Sequence, residues 1–319
     1  MMLRLPSMRK SISAIHSPQV VQVKTFFDCI PCFVRQTLDS IRMVTDDEVV
    51  HERVLREVLR AASEMDLRES PPAMGHRIHR IMRDVSGQVD PYRAMKDRFN
   101  RAAMALYPAL KARVAASAHR LETAVRLAMA GNVIDLAIYT DLDESHVLDA
   151  VDQAVAEPFN GDIDAFAGAV DHAKRILYLA DNAGEIVFDR VLIEELPRTR
   201  VTVAVRGMPI INDATMADAQ AVGLTERVEV IDNGADVPGT ILRECSEAFR
   251  ERFAAADLII AKGQGNYETL SETGKDIFFI LKAKCPVIAR DIGCQVGSLV
   301  LRRSRPTEAC STGFGPRSE

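Results

Sequence analysis

Acidic and amide side chains follow a short apolar run in the second half of the chain. Asp181 and Asn182 come directly after Arg175–Ala180 (RILYLA), and Asp213 follows the next apolar run. Two carboxylates and an amide oxygen are ligands that suit Mg²⁺ or Mn²⁺. An ion held there could polarise a phosphoryl oxygen and position a water molecule. The alternative is that Asp181 only caps a helix and Asn182 only shapes a turn, because both residue types are common there.

Groups that could bind a phosphate follow the same apolar runs. Gly184 precedes a predicted helix, whose first backbone N–H groups and positive dipole end favour an anion. Lys262 follows the run Asp257–Ala261, and its ammonium could bind a phosphate oxygen. The glycines after Lys262 match no P-loop or dinucleotide fingerprint, so a plain turn is the alternative. Further candidate substrate-binding residues at the ends of these runs are Glu185, Arg206 and Asn266.

The elements that must position these residues are short strands that alternate with helices. Runs rich in Val and Ile predict strands at Arg175–Ala180, Arg200–Val205, Arg227–Ile231, Asp257–Ala261 and Asp276–Lys282. This alternation predicts a doubly wound, mostly parallel, Rossmann-like α/β/α domain. In such sheets ligands bind beyond the carboxyl ends of the strands, so the candidate residues are expected on one rim.

The first half of the chain has a helical pattern. Thr45 and Asp46 can cap a segment whose apolar residues recur every three or four positions, and Pro91 suits the first turn of another helix. The pattern continues to Ala130 with a break near Pro108, and Gly131 supplies a stop.

These patterns divide the chain into four parts. Residues 26–150 are predicted to form a helical domain, and residues 151–305 an α/β domain that binds metal and phosphate. Residues 1–25 are basic without a continuous apolar region, which indicates a loose N-terminal extension and not a targeting peptide. Residues 306–319 are polar and contain Pro and Gly, which predicts a disordered tail.

The composition restricts the classes of partner. The chain has 319 residues, 47% of them hydrophobic, and a formal net charge of -5. A mildly acidic chain is a poor partner for nucleic acid, and no apolar run reaches the roughly 20 residues of a membrane span. Six cysteines are too few for a disulfide scaffold, which favours a cytoplasmic location. The sequence leaves the oligomeric state open.

The pair Cys29 and Cys32 allows three interpretations. It could be a redox dithiol, but the surrounding pattern of a thioredoxin-like motif is missing. It could be half of a zinc site, but no second C-x-x-C exists, and Cys285 and Cys294 are poorly spaced. A structural role at the start of the helical domain, with incidental metal binding, is the interpretation that we favour.

Five motifs in order resemble the metal-dependent damage-control phosphatase family, long catalogued as domain of unknown function 89. The similarity is greatest to its archaeal-type, cysteine-pair branch, and it covers roughly residues 26 to 302. The motifs are Asp28–Gln36 (DCIPCFVRQ), Gly131–Asp135 (GNVID), Asp181–Asp189 (DNAGEIVFD), Arg206–Thr215 (RGMPIINDAT) and Lys262–Glu268 (KGQGNYE).

The resemblance implies a helical domain joined to an α/β domain and a divalent cation, Mg, Mn, Co or Ni. The cation would be held by Asp181, Asn182 and Asp213. The resemblance also implies hydrolysis of sugar phosphates and other small phosphorylated metabolites, often damaged compounds or side products. Asn132 and Asp135 carry over as site residues at the cleft between the domains.

The sequence therefore suggests a metal-dependent phosphomonoester hydrolase with Asp181 and Asp213 as catalytic residues. Asp213 could orient or deprotonate a water molecule, and an aspartyl-phosphate intermediate is the other route. One alternative is a methyltransferase that binds S-adenosylmethionine, since acidic strand ends also suit that cofactor. Another is a non-catalytic zinc or redox module centred on Cys29 and Cys32.

Overall fold

The computed structural model describes residues 23–131, 149, 151–153 and 155–304. The predictions for residues 1–22, for Asn132 and Asp135 and for the tail 306–319 lie outside the described residues. Of the predicted N-terminal extension, residues 23–25 are described. Val23 donates its backbone N–H to the carbonyl oxygen of Glu268 at 3.2 Å, and the Thr25 hydroxyl donates to the carbonyl oxygen of Glu69 at 2.8 Å.

The described part of the N-terminal half consists of helices. Numbered in chain order among the described elements, they are α1 Cys29–Val44, α2 Glu48–Ser63, α3 Pro71–Ser86, α4 Arg93–Ala116 and α5 Arg120–Ala130. The N-cap of α2 is Asp47, not Thr45 or Asp46, and its carboxylate accepts the Val49 N–H at 2.9 Å. Helix α4 runs through Pro108 without the predicted break. Tertiary packing explains this continuity, since the helix is buried along one face.

The C-terminal half forms one seven-stranded sheet. The strands are β1 Phe159–Gly161, β2 Ile176–Leu179, β3 Val201–Val205, β4 Glu229–Asp232, β5 Leu258–Lys262, β6 Ile277–Lys282 and β7 Leu299–Arg303. The sheet order is β1-β7-β6-β5-β2-β3-β4, and only the β6–β7 pair is antiparallel. The five predicted strands are therefore observed, with ends that differ from the predicted ones by at most two residues.

Helices cover both faces of this sheet. They are α6 Ile163–His172, α7 Glu185–Ile193, α8 Met216–Ala221, α9 Glu247–Ala255, α10 Gly263–Leu270 and α11 Pro286–Ile292. Alternate residues of the buried strand β2 enter two separate hydrophobic cores. Tyr178 packs in the core that contains α7, whereas Leu177 packs in the core that contains α9. The helical N-terminal part and the mostly parallel α/β/α sheet confirm the predicted fold class.

Two strands were not predicted. Strand β1 has three residues and is half-buried to exposed, so it carries no apolar pattern. Strand β7 follows the loop after α11 and pairs with β6 in the antiparallel direction. No helix among the described residues is long and apolar enough to cross a membrane.

Candidate functional site

Backbone pairing joins the loop after β2 to the loop after β3. The Ala214 N–H donates to the carbonyl oxygen of Asp181 at 2.7 Å, and the Ala183 N–H donates to that of Asn212 at 2.8 Å. Asn182 and Asp213 are consequently opposite each other in an isolated antiparallel bridge. The in-register pairing of β2 with β3 aligns the carboxyl ends of both strands, which brings the two loops together.

Arg206, which follows β3 directly, lies between the two carboxylates. Its Nε donates to Asp213 Oδ2 at 2.6 Å, and its Nη2 is 3.8 Å from Asp181 Oδ1. The side chain is only 2% exposed, and Nη2 has no hydrogen-bond acceptor within the described residues. Arg206 is thus a buried cation shared by both acids and not a solvated arginine.

The amide of Asn182 is oriented by acidic neighbours. Its Nδ2 donates to Asp181 Oδ2 and to Glu185 Oε2, both at 3.2 Å. Only the nitrogen can donate to carboxylates, so these two contacts determine which way the amide is turned. The oxygen Oδ1 is left as an available ligand.

The buried charges at this rim favour a cation. Burial and the neighbouring charges of Asp213 and Glu185 raise the pKa of Asp181 well above its ordinary value. Burial also raises the pKa of Asp213, although Arg206 opposes that shift. A bound divalent ion would relieve the repulsion among these carboxylates.

The donor set fits the metal that the sequence motifs imply. No three His, Cys, Asp or Glu side chains converge as a metal-binding group in the part of the chain that the structure describes. The candidate set instead combines the carboxylates of Asp181 and Asp213 with the amide oxygen of Asn182. Ions such as Mg²⁺ take one or two carboxylates and complete their coordination with water and substrate phosphate, so this small oxygen set is sufficient.

Lys262 lies under the site and not on its surface. Its ammonium Nζ donates to Glu185 Oε1 at 2.6 Å, to Asp189 Oδ1 at 2.5 Å and to the carbonyl oxygen of Ala128 at 2.9 Å. All three N–H groups are used, and the residue is fully buried. In this arrangement the ammonium is fully engaged by the protein and holds Glu185, whose carboxylate also contacts Asn182, and the predicted contact of Lys262 with substrate stays a prediction.

Asn266 is also engaged by the protein. Its Oδ1 accepts the Thr240 hydroxyl at 2.8 Å, and its Nδ2 donates to the carbonyl oxygen of Lys262 at 2.7 Å. The bond with Thr240 connects α10 to the loop that precedes α9. Asn266 therefore stabilises the base of the site in this structure, and its predicted contact with substrate stays a prediction.

Two glycines allow the close approach of backbone to these side chains. Gly184 has a φ of 77°, and its N–H donates to Asn100 Oδ1 at 2.8 Å, so this N–H is not free for a phosphate. At Gly263, where φ is 79°, an added Cβ would be 1.9 Å from Asp181 Oδ2. The carboxylate of Asp181 therefore occupies the space that a side chain at position 263 would need.

The helical part contributes a polar network that sequence reasoning missed. Asn100 of α4 accepts from Gly184 and donates Nδ2 to Asp218 Oδ1 at 2.9 Å, and Lys96 Nζ is 2.9 Å from Asp218 Oδ2. Although burial opposes the shift, Lys96, Arg93 and Thr215 lower the pKa of Asp218 to about 2. The sequence does contain a signal for this network, because Arg93, Lys96 and Asn100 recur at helical spacing and form a polar stripe on α4.

The cysteine pair lies at the start of the helical part. Cys29 and Cys32 are in the first turn of α1 and are free thiols. Burial raises the pKa of both, and the charges of Cys285 and Glu268 add to the rise, which shows that the four groups are neighbours. The redox, zinc and structural interpretations of the pair stay predictions.

Replacing Glu268 by Gln is expected to stabilise the protein at alkaline pH. The side chain is buried, and burial raises its pKa from 4.5 to about 7. The folded state therefore binds a proton at Glu268 more tightly than the unfolded state. The contribution of protonated Glu268 to the free energy of unfolding is fully present below about pH 4.5 and is lost as the pH rises through 7. We expect Glu268→Gln to unfold at a higher urea concentration than the native protein at pH 8.5.

The control for this prediction is the exposed Glu244, since Glu244→Gln should leave the pH dependence unchanged. The measurement is the free energy of unfolding in urea between pH 5 and pH 8.5. An equal pH dependence in the native and Glu268→Gln proteins would show that Glu268 does not titrate in this range.

Three comparisons with known proteins agree on the family. Residues 25–300 match the family model described as the damage-control phosphatase ARMT1-like domain. A damage-control phosphatase of Pyrococcus horikoshii is 35% identical over 89% of this chain and 99% of its own length, and one of Archaeoglobus fulgidus is 35% identical over 86% and 97%. An uncharacterised protein of Methanocaldococcus jannaschii is 37% identical over 88% and 95%.

The fold is shared as well. The crystal structure of a DUF89 family protein from Pyrococcus horikoshii superposes with a TM-score of 0.82 at 34% identity, over 88% of this chain and 99% of that one. The family model extends over the helical part and the sheet and includes every residue of the site described above. This chain therefore belongs to the damage-control phosphatase family defined by the ARMT1-like domain.

Proposed function

We propose that this protein is a divalent-metal-dependent phosphatase of small phosphorylated metabolites such as sugar phosphates. The observation that carries the proposal is the convergence of Asp181, Asn182 and Asp213 at the carboxyl ends of β2 and β3, with both carboxylates buried. The names of the relatives in Pyrococcus and Archaeoglobus support the same reaction class. The cytoplasmic location predicted from the cysteine content is part of this proposal.

Asp181, Asn182 and Asp213 would hold the cation, Mg, Mn, Co or Ni. When bound, the ion polarises a phosphoryl oxygen and offsets the negative charge that develops there. Arg206 keeps Asp213 in place by occupying Oδ2, which leaves Oδ1 for the ion or for a proton taken from water. In the direct route Asp213 would accept that proton.

A covalent route uses Asp181 as the nucleophile. One of its oxygens would bond to phosphorus while the ester P–O bond breaks, and the leaving alkoxide would take a proton from solvent water. Water would then hydrolyse the aspartyl-phosphate. Burial of Asp181 and its position beside Arg206 are compatible with this route, and with the direct attack of water.

Cations near the two acids would bind the phosphate. Arg206 Nη2 is buried and has no hydrogen-bond acceptor within the described residues, and a phosphate bound beside Asp181 would supply one. Lys284 is close enough to Asp181 for its charge to lower the pKa of that carboxyl. We assign these two residues to phosphate binding, while Lys262, Asn266 and the Gly184 N–H support the site from below. Glu185 orients Asn182.

The test is phosphate release from a panel of sugar phosphates with Mg²⁺, Mn²⁺, Co²⁺ or Ni²⁺ added, and with EDTA as the control. We expect release that requires a metal and disappears with EDTA. Release that is unchanged by EDTA would contradict the metal dependence. No release with any metal and substrate would contradict the phosphatase, and titration with S-adenosylmethionine would then test the methyltransferase alternative.

A further inference from the structure

A large open groove lies at the other end of the sheet. Its volume is about 820 Å³, and it is lined by the amino ends of β2, β3 and β4 and by the end of α9. The strands between the groove and the candidate metal loop have four or five residues, which corresponds to about 15 Å. The groove is therefore a separate feature from the candidate active site.

The charge that lines this groove is opposite to that of the whole chain. Two carboxylates, Glu226 and Glu229, line it. The chain as a whole has a net charge of -5, so this concentration of positive charge is local. Six cationic side chains line the groove: Lys174, Arg175, Arg198, Arg200, Arg227 and Arg252.

Only part of this positive charge is neutralised by the protein. Arg252 makes two contacts of 2.9 Å with Glu229, and Arg175 contacts Asp257 at 3.1 Å. The side chains of Lys174 and Arg198 have no hydrogen bond or ion pair among the described residues, which are 23–131, 149, 151–153 and 155–304.

The other two cations are also weakly compensated. Arg200 donates to the carbonyl oxygens of Asp171 and Ala173, at 3.3 and 3.2 Å, which use its hydrogens without cancelling its charge. Arg227 reaches a carboxylate only at 3.9 Å, in Glu194. Four cations from three segments of the chain therefore present weakly compensated charge to one groove, against the single further carboxylate of Glu226.

We propose that this groove binds a small polyanion that carries two or more phosphoryl groups. Arginine and lysine are the residues that bind phosphate oxygens, and cations from separate segments match a ligand with several charged groups better than a single phosphate. The volume is in the range of small-ligand sites. Because the groove is about 15 Å from the metal loop, such a ligand would be bound there without being hydrolysed.

The experiment is a calorimetric titration of the full chain with inorganic tripolyphosphate, at low salt and with EDTA present. EDTA removes metal-bridged binding at the candidate active site. The test variant is Lys174→Glu/Arg198→Glu. The matched control is Arg56→Glu/Arg60→Glu, which makes the same kind of charge change on the exposed surface of α2.

We expect saturable binding at one site that weakens at least about tenfold in the groove variant and stays within about twofold in the control, with weaker binding at high salt. Metal-dependent phosphate release should be unchanged in both variants, so failure here would be distinguishable from failure of the proposed function. Absence of saturable binding, or equal weakening in both variants, would overturn the groove as a binding site.

Discussion

Replacing Asp213 with Asn is expected to lower the rate of phosphate release by about a hundred- to a thousand-fold, with the protein still folded. The substitution removes a negative charge from the candidate metal set and the proton acceptor from the direct route. The fold should persist, because the amide oxygen of Asn can still accept the hydrogen bond from Arg206 Nε. The measurement is kcat at saturating metal, together with thermal unfolding and metal titration.

The control for this variant is Asp276→Asn. Asp276 pairs with Arg303 near the amino end of β6, far from the site, and is partly exposed. The Asp276→Asn protein should release phosphate at the same rate as the native protein. Unchanged kcat and unchanged metal affinity in Asp213→Asn would remove Asp213 from the site, whereas loss of activity through unfolding would appear in the melting curve.

Replacing Lys262 with Met is expected to destabilise the protein by about 3–5 kcal/mol. Lys262 is the shared cation of two buried acids, Glu185 and Asp189, and its removal leaves both without their partner. Removing one member of a buried ion pair is costly because the remaining charge cannot be hydrated. The measurement is the free energy of unfolding in urea. Arg60→Ala, which breaks an exposed pair with Glu57, should cost no more than about 1 kcal/mol.

A second variant separates charge from packing. Asp189 already holds its proton more tightly than an ordinary aspartic acid, because burial raises its pKa to about 6 although Lys262 opposes the shift. Lys262→Met/Asp189→Asn removes one of the unpaired charges and should recover part of the lost stability. If the double variant were no more stable than Lys262→Met, the loss would come from packing and not from charge.

Lys262 also shows where local sequence information ends. Its position after an apolar run correctly predicted the end of a strand, and the strand does end there. The sequence suggested a side chain on the functional rim, but the carboxylates that attract it are 77 and 73 residues away in the chain. Which side of the sheet a strand-end side chain turns to depends on partners that only packing brings near.

Gly184 also has a contact with the helical part that the local sequence does not indicate. The backbone N–H groups at the start of the helix that follows Gly184 were predicted to favour an anion. Asn100, 84 residues earlier, accepts the Gly184 N–H and links α4 to the loop after β2. The helical part therefore helps to shape the candidate site, which no pattern within the α/β part could indicate.

The alternating strands and helices, the carboxyl-end loops and the family motifs could be read from the amino-acid sequence, because hydrophobic period and short motifs are local properties. The sequence thereby indicated Asp181, Asn182 and Asp213 as one candidate site. The contacts that Arg206 makes with two acids, the burial of Lys262 and Asn266, and the gathering of cations in a groove at the amino ends of the strands became visible only in the folded chain. These features depend on distances between residues far apart in the chain, and those distances exist only after the strands have been ordered in the sheet.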